Sequence, residues 1–123
     1  MMYTRGDKVL AENDEQYVKI AARVASEMGA DMVKVSFTGS VESFARVVEG
    51  SSIPVLIAGG EKAKNTRDVL TNVKMAIDAG GKGVSMGRNV FQHENPSLLL
   101  QAVSKIVHEG ASVNEALAML GEI

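Results

Sequence analysis

Cysteine and tryptophan are both absent from this chain of 123 residues. Without cysteine there are no disulfides, no thiolate metal sites and no thiol redox chemistry, a pattern that fits a reducing cytoplasm. Aromatic residues make up only 4%, and 13 lysines and arginines stand against 15 aspartates and glutamates, a net charge of −2. A nucleic-acid surface of basic and stacking groups is therefore not expected; a small molecule or a protein is the expected partner. No apolar run approaches the roughly 18 residues of a membrane span. The opening Met1-Met2-Tyr3-Thr4-Arg5-Gly6-Asp7-Lys8 turns polar at once, so neither export nor membrane anchoring is expected. The two histidines, His93 and His108, lack metal-ligand spacing to each other or to acids, so no metal site is expected. Linkers and low-complexity tracts are missing too, which leaves one domain over residues 1–123.

What is present is a rhythm. Short apolar runs ending at glycine alternate with stretches of helical spacing, the βαβα pattern of a parallel α/β sheet. Asn13 with Gln16 resembles a capping box, and Tyr17, Ile20, Ala21, Val24 and Met28 share a face, so a helix is expected over about 14–28. Asp31 to Ser36 reads as a buried strand despite Lys34. Ser40 opens a second helix with Val41, Phe44, Ala45 and Val48 inward, ending at Gly50. A strand follows at Val55-Leu56-Ile57-Ala58-Gly59-Gly60. Thr66 or Asp68 opens a third helix carrying Val69, Leu70, Val73, Ala76 and Ile77, before the strand Gly83 to Gly87. Asn95-Pro96 opens a fourth with Leu99, Leu100, Val103, Ile106 and Val107, and Ser112 with Glu115 caps a last short one. With a shortened strand around Tyr3, four βα units are expected.

Lys34 is the most informative residue. Strand alternation puts Met32, Lys34 and Ser36 on one face. If that face is covered, the lysine loses hydration and becomes a candidate amine nucleophile toward a carbonyl; if the strand is an edge, its head reaches water and it is a surface residue. The strand ends Ala58-Gly59-Gly60 and Met86-Gly87-Arg88-Asn89 belong to consecutive strands, so their backbone amides and the Arg88 guanidinium can converge on a phosphate. The same glycines can equally serve tight turns, with Arg88 paired to a surface acid. Tyr3 is either a packed tyrosine or an acid/base beside Lys34. Neither a Walker A nor a Gly-x-Gly-x-x-Gly pattern occurs, and no cofactor is implied.

Four segments carry a resemblance: Tyr3-Thr4-Arg5-Gly6, the run from Gly29 to Gly39 with its Lys34-Val35-Ser36-Phe37-Thr38-Gly39 strand, Pro54 to Gly60, and Gly87-Arg88-Asn89-Val90-Phe91-Gln92. In order and spacing the chain resembles the archaeal-type class I fructose-bisphosphate aldolases and their relatives. The strand containing Lys34, the Phe91-Gln92-His93 turn and the Lys105 to Glu109 helix most resemble the transaldolase branch, the 2-amino-3,7-dideoxy-D-threo-hept-6-ulosonate synthases. That family is a TIM (βα)8 barrel of about 200 to 250 residues, so the resemblance implies half a barrel, equivalent to strands five to eight with their helices. It implies that Lys34 forms the Schiff base and that Tyr3 moves protons. It also implies that Gly59, Gly60, Gly87 and Arg88 hold a substrate phosphate, with Ser36 and Ala58 as further substrate contacts. Thr4 replaces the proline of the family's Tyr-Pro-Arg-Gly motif, and the family's strand-one Asp-His-Gly segment has no counterpart. The implied substrate is a phosphorylated ketose. The implied partner is a second copy or a complementary N-terminal half, since the chain corresponds to half an enzyme.

Overall fold

A computed structural model of the chain describes residues 1–59 and 63–122. Its first helix, α1 (Glu15–Glu27), begins after Asp14, whose carboxylate accepts from the Gln16 amide at 2.9 Å. The cap is thus one residue later than the expected Asn13. Then follow β1 (Val33–Val35), α2 (Val41–Glu49), β2 (Val55–Ala58), α3 (Thr66–Asp78), β3 (Gly83–Ser85), α4 (Arg88–Phe91), α5 (Pro96–Glu109) and α6 (Val113–Met119). Ser40, Asn95 and Ser112 cap α2, α5 and α6 as expected, each accepting from a backbone amide three residues on. Such caps contribute about 1 kcal/mol apiece. For α3 the cap is Asn65, so Thr66 is already helical. Gly110 ends α5 at φ 68°, the left-handed conformation that a side chain would strain.

The three strands are parallel and lie in the order β1-β2-β3, with Lys34 opposite Leu56 and Leu56 opposite Gly83. One face carries Val33, Val35, Val55 and Ile57. It packs on Val18, Ala22 and Ala25 of α1, Phe44 and Val47 of α2, and Ala76 of α3. A second cluster joins Leu70 and Val73 of α3 to Leu99, Ala102, Val103 and Ile106 of α5 and to Ala116 and Leu117 of α6, and Val84 touches both clusters. Sequential strand order with the helices gathered on one face is the winding of a TIM-barrel-like fold; a doubly wound sheet would place helices on both faces.

The other sheet face is uncovered. Met32 and Ser85 are exposed, Lys34, Ser36, Leu56 and Ala58 are half-buried, and none of the six contributes to a core cluster. The first expected strand is not one either. Residues 1–5 form no strand, and the segment reaches β1 through a single ladder-like bond, Met2 N–H to Lys34 O at 3.0 Å.

Helix α1 also turns a different face inward than expected. Val18, Ala21, Ala22 and Ala25 are buried, whereas Ile20, Val24 and Met28 are 55%, 41% and 82% exposed. Small alanines let the helix lie close to the sheet, and the larger side chains occupy its flank. The opposite flank meets α2: Glu15 pairs with Arg46 there, and Lys19 lies against Gly50.

That α1–α2 pair sets a pH prediction. Arg46 Nε and Nη2 donate to the two carboxylate oxygens of Glu15 at 2.6 and 2.9 Å. This hydrogen bond holds the Glu15 carboxyl below its ordinary value. A carboxylate lowered on folding lends stability above its unfolded pKa and loses it as pH falls through the folded value. Wild type is therefore expected to melt slightly above Glu15→Gln at neutral pH, the two curves merging in acid; thermal melts at several pH values check this.

Candidate active site

The uncovered sheet face opens at its carboxyl end into a cleft of about 750 Å3. The strand register decides what lines it. Ala58 is paired with Ser85 at the ends of β2 and β3, and Lys34 lies with Leu56 and Gly83 two residues earlier along the strands. One pleat is roughly 6.6 Å, so the Lys34 backbone lies about that far below the strand ends at Ala58 and Ser85. Tyr3, Lys34, Ser36, Ala58, Gly59, Gly87 and Arg88 all line this one cleft. Gly60 lies outside the described residues.

Lys34 is half-buried, on a strand with neighbours on both sides: β2 by its ladder, and the Met2 amide by its bond to the Lys34 carbonyl. Among the described residues neither Lys34 nor Arg88 has an ion-pair partner. The surface acid considered for Arg88 is therefore not found among them, and both cations face the cleft.

Tyr3 is half in water, 55% exposed, with the Arg5 guanidinium 4.1 Å from its ring centroid. Arg5 Nε is bonded to Glu12 at 2.8 Å, and the Thr4 hydroxyl donates to the Glu12 carbonyl. The turn that presents Tyr3 is thus tied down by Glu12, although Thr4 stands where the family has proline.

The ends of β2 and β3 are pressed together. A Cβ on Gly59 would stand 3.0 Å from Met86 Cγ, a tight approach that the Met86 side chain would have to yield to by a few tenths of an ångström. The side chain of Asn89, 5% exposed, donates from Nδ2 to the Gly59 carbonyl at 2.9 Å and accepts at Oδ1 from the Ala63 amide at 2.7 Å. His93 stands behind them. Its Nδ1 accepts from the Asn95 amide at 2.9 Å and its Nε2 is 3.0 Å from Thr66 Oγ1, a structural placement, while His108 lies in the last turn of α5.

Sequence reasoning missed four contributors. Arg5 and Glu12 steady the Tyr3 turn, and Phe91, 65% exposed, walls the cleft beside Arg88. The fourth, α4, is a four-residue helix that aims Arg88 and Asn89, too short for any periodicity to reveal; only Gly87 signals a turn there.

Residues 1–93 match the DeoC/LacD family aldolase pattern. The chain belongs to the DeoC/LacD aldolase family. It is 46% identical over 121 residues, 98% of its length, to the 2-amino-3,7-dideoxy-D-threo-hept-6-ulosonate synthase of Halobacterium salinarum strain NRC-1, and covers 45% of that protein. It is 40% identical over 119 residues, 96% of its length, to the class 1 fructose-bisphosphate aldolase of Halobacterium salinarum strain R1, again covering 45%. A Schiff-base-forming fructose-1,6-bisphosphate aldolase, solved with its reaction intermediates, superposes with a TM-score of 0.84 at 36% identity, over 87% of this chain and 43% of that one. This aldolase-family chain therefore spans a little under half the length of the relatives it matches. No helix among the described residues is long and apolar enough to cross a membrane.

Proposed function

We propose that this chain carries the Schiff-base half of a class I aldolase or transaldolase acting on phosphorylated ketose-type substrates, in the manner of the synthase or of the fructose-bisphosphate aldolase it resembles. The observation that carries the reading is one shared cleft: a lysine with no ion pair among the described residues lines it, together with Gly59, Gly87 and Arg88. Lys34 Nζ adds to the substrate carbonyl, and loss of water gives an iminium. The substrate's β-hydroxyl loses its proton to water, the carbon–carbon bond breaks with release of an aldehyde, and the iminium takes up the bond's electron pair to give an enamine, which is protonated at carbon and hydrolysed to free the lysine. Tyr3, at the same mouth, is the proton carrier; Ser36 and Ala58 border the reacting carbons.

The one sheet, its uncovered face and the coverage of under half of each relative support reading residues 1–123 as a single partial domain, half of a (βα)8 barrel equivalent to strands five to eight. A cytoplasmic setting fits the absence of cysteine. The partner is a complementary N-terminal half or a second copy. The exposed flank of α1, with Ile20, Val24 and Met28 on the side away from α2, favours such a partner, because helices of a barrel pack on both neighbours. This flank also favours a second reading, a phosphate-binding half-barrel module that turns over nothing until paired.

Deuterium wash-in separates the two. In D2O the enamine must exchange a proton on the carbon beside the carbonyl of dihydroxyacetone phosphate, and NMR follows the loss of that proton. Exchange by the wild-type chain supports the enzyme reading; phosphate binding without exchange supports the module. Arg88→Ala is expected to weaken dihydroxyacetone phosphate binding about ten- to hundred-fold, the worth of a hydrogen bond to a charged group, as calorimetric titration would show.

A further inference from the structure

Asn89 does not itself line the cleft, yet it is one of two buried polar residues among those described. Its carboxamide uses both ends: Nδ2 donates to the Gly59 carbonyl at 2.9 Å and Oδ1 accepts from the Ala63 amide at 2.7 Å. These partners lie 30 and 26 residues away in the sequence, on either side of the connection that leaves β2. One residue before Asn89 stands Arg88, and Gly87 caps their short helix without any side-chain bond. The anchor that holds Gly59 therefore also holds the backbone from which Arg88 projects.

We infer that Asn89 is a positioning residue that locks the end of β2 to the turn after β3 and so sets the spacing between Gly59 and the Arg88 guanidinium. The inference rests on reading that rim as the phosphate subsite. A carboxamide is needed because one end must donate and the other accept. Alanine leaves the Gly59 carbonyl and the Ala63 amide without this partner. Aspartate keeps an acceptor for Ala63 but offers no donor to Gly59 and brings a negative charge behind the subsite.

The test compares Asn89→Ala and Asn89→Asp with wild type in two measurements. The first is borohydride trapping at Lys34 with dihydroxyacetone phosphate and with unphosphorylated dihydroxyacetone. The second is hydrogen exchange of the Ala63 amide by NMR. For both variants the half-saturating concentration of dihydroxyacetone phosphate is expected to rise about tenfold, while trapping of dihydroxyacetone stays within about twofold. Ala63 exchange speeds up in Asn89→Ala and stays slow in Asn89→Asp. Unchanged Ala63 exchange in Asn89→Ala overturns the lock. Faster exchange with unchanged half-saturation overturns its link to the subsite, and equal losses with both carbonyl compounds overturn positioning in favour of general loosening. If wild type traps the two compounds equally well and Arg88→Ala alters neither, the phosphate-subsite reading itself has failed and takes the inference with it.

Discussion

Replacing Lys34 by alanine is expected to bring carbon–carbon bond cleavage and proton exchange down to background while leaving phosphate binding within about twofold of wild type. The amine is the only group in the cleft proposed to bond covalently to substrate, and neither water nor Tyr3 replaces an iminium as electron acceptor. Phosphate binding survives because Gly59 follows β2 and Gly87 and Arg88 lie at the start of α4 after β3, whereas Lys34 belongs to β1. Lys34→Arg sharpens the result, since it keeps the positive charge and removes the nucleophile. Rates that fall in Lys34→Ala but persist in Lys34→Arg would mean that the lysine acts only as a cation. Coupled cleavage assays and phosphate titration on the same three proteins decide the matter.

Phe44→Ala is expected to lower stability by about 3–5 kcal/mol, the usual range for emptying a buried aromatic site. Phe44 is wholly buried, its ring centroid 5.4 Å from that of Phe37, and it sits among Val18, Val35 and Ile57 where α1, α2 and the sheet meet. Against total stabilities of about 5–15 kcal/mol, such a loss leaves a domain with one covered sheet face close to unfolding. Phe37 lines the cleft, so the cavity beneath it also loosens the wall beside Lys34. Urea titration with Leu100→Ala as control measures the effect. Leu100 is 57% exposed on α5, and its removal is expected to change stability by no more than about 0.5 kcal/mol. Similar small losses for both variants would contradict the packing described.

Much of the fold was legible because this chain punctuates its elements. Ser40, Asn95-Pro96 and Ser112 mark helix starts, and glycines close the units, so helix boundaries fell within a residue or two of those observed. The inward face of α1 was not legible. Apolar residues occupy more than half of its circumference, and periodicity gives no means of choosing between an arc of alanines and an arc of larger side chains. The sheet chose the alanines because they permit closer approach. The segment at Tyr3 has the composition of a strand but only one ladder bond to hold it, so it stays outside the sheet. Covering of the Lys34 face was a general expectation for parallel sheets; here the face is open, and the cleft exists because of it.

The site divides in the same way. That Lys34, Gly59, Gly87 and Arg88 meet in one cleft was legible because alternation and glycine-ended strands bring consecutive strand ends to one edge. Asn89 was not, since an asparagine in a turn carries no mark of partners 26 and 30 residues away until the fold assembles them. Glu12 and Arg5 were hidden for a similar reason: they act on Tyr3 through an irregular loop with no period to read.

The most direct test is peptide mapping after borohydride reduction of the wild-type chain with dihydroxyacetone phosphate. The account predicts one reduced adduct per chain, on the peptide containing Lys34. Adducts spread over the other lysines, or no adduct while phosphate still binds at the Arg88 rim, would contradict it.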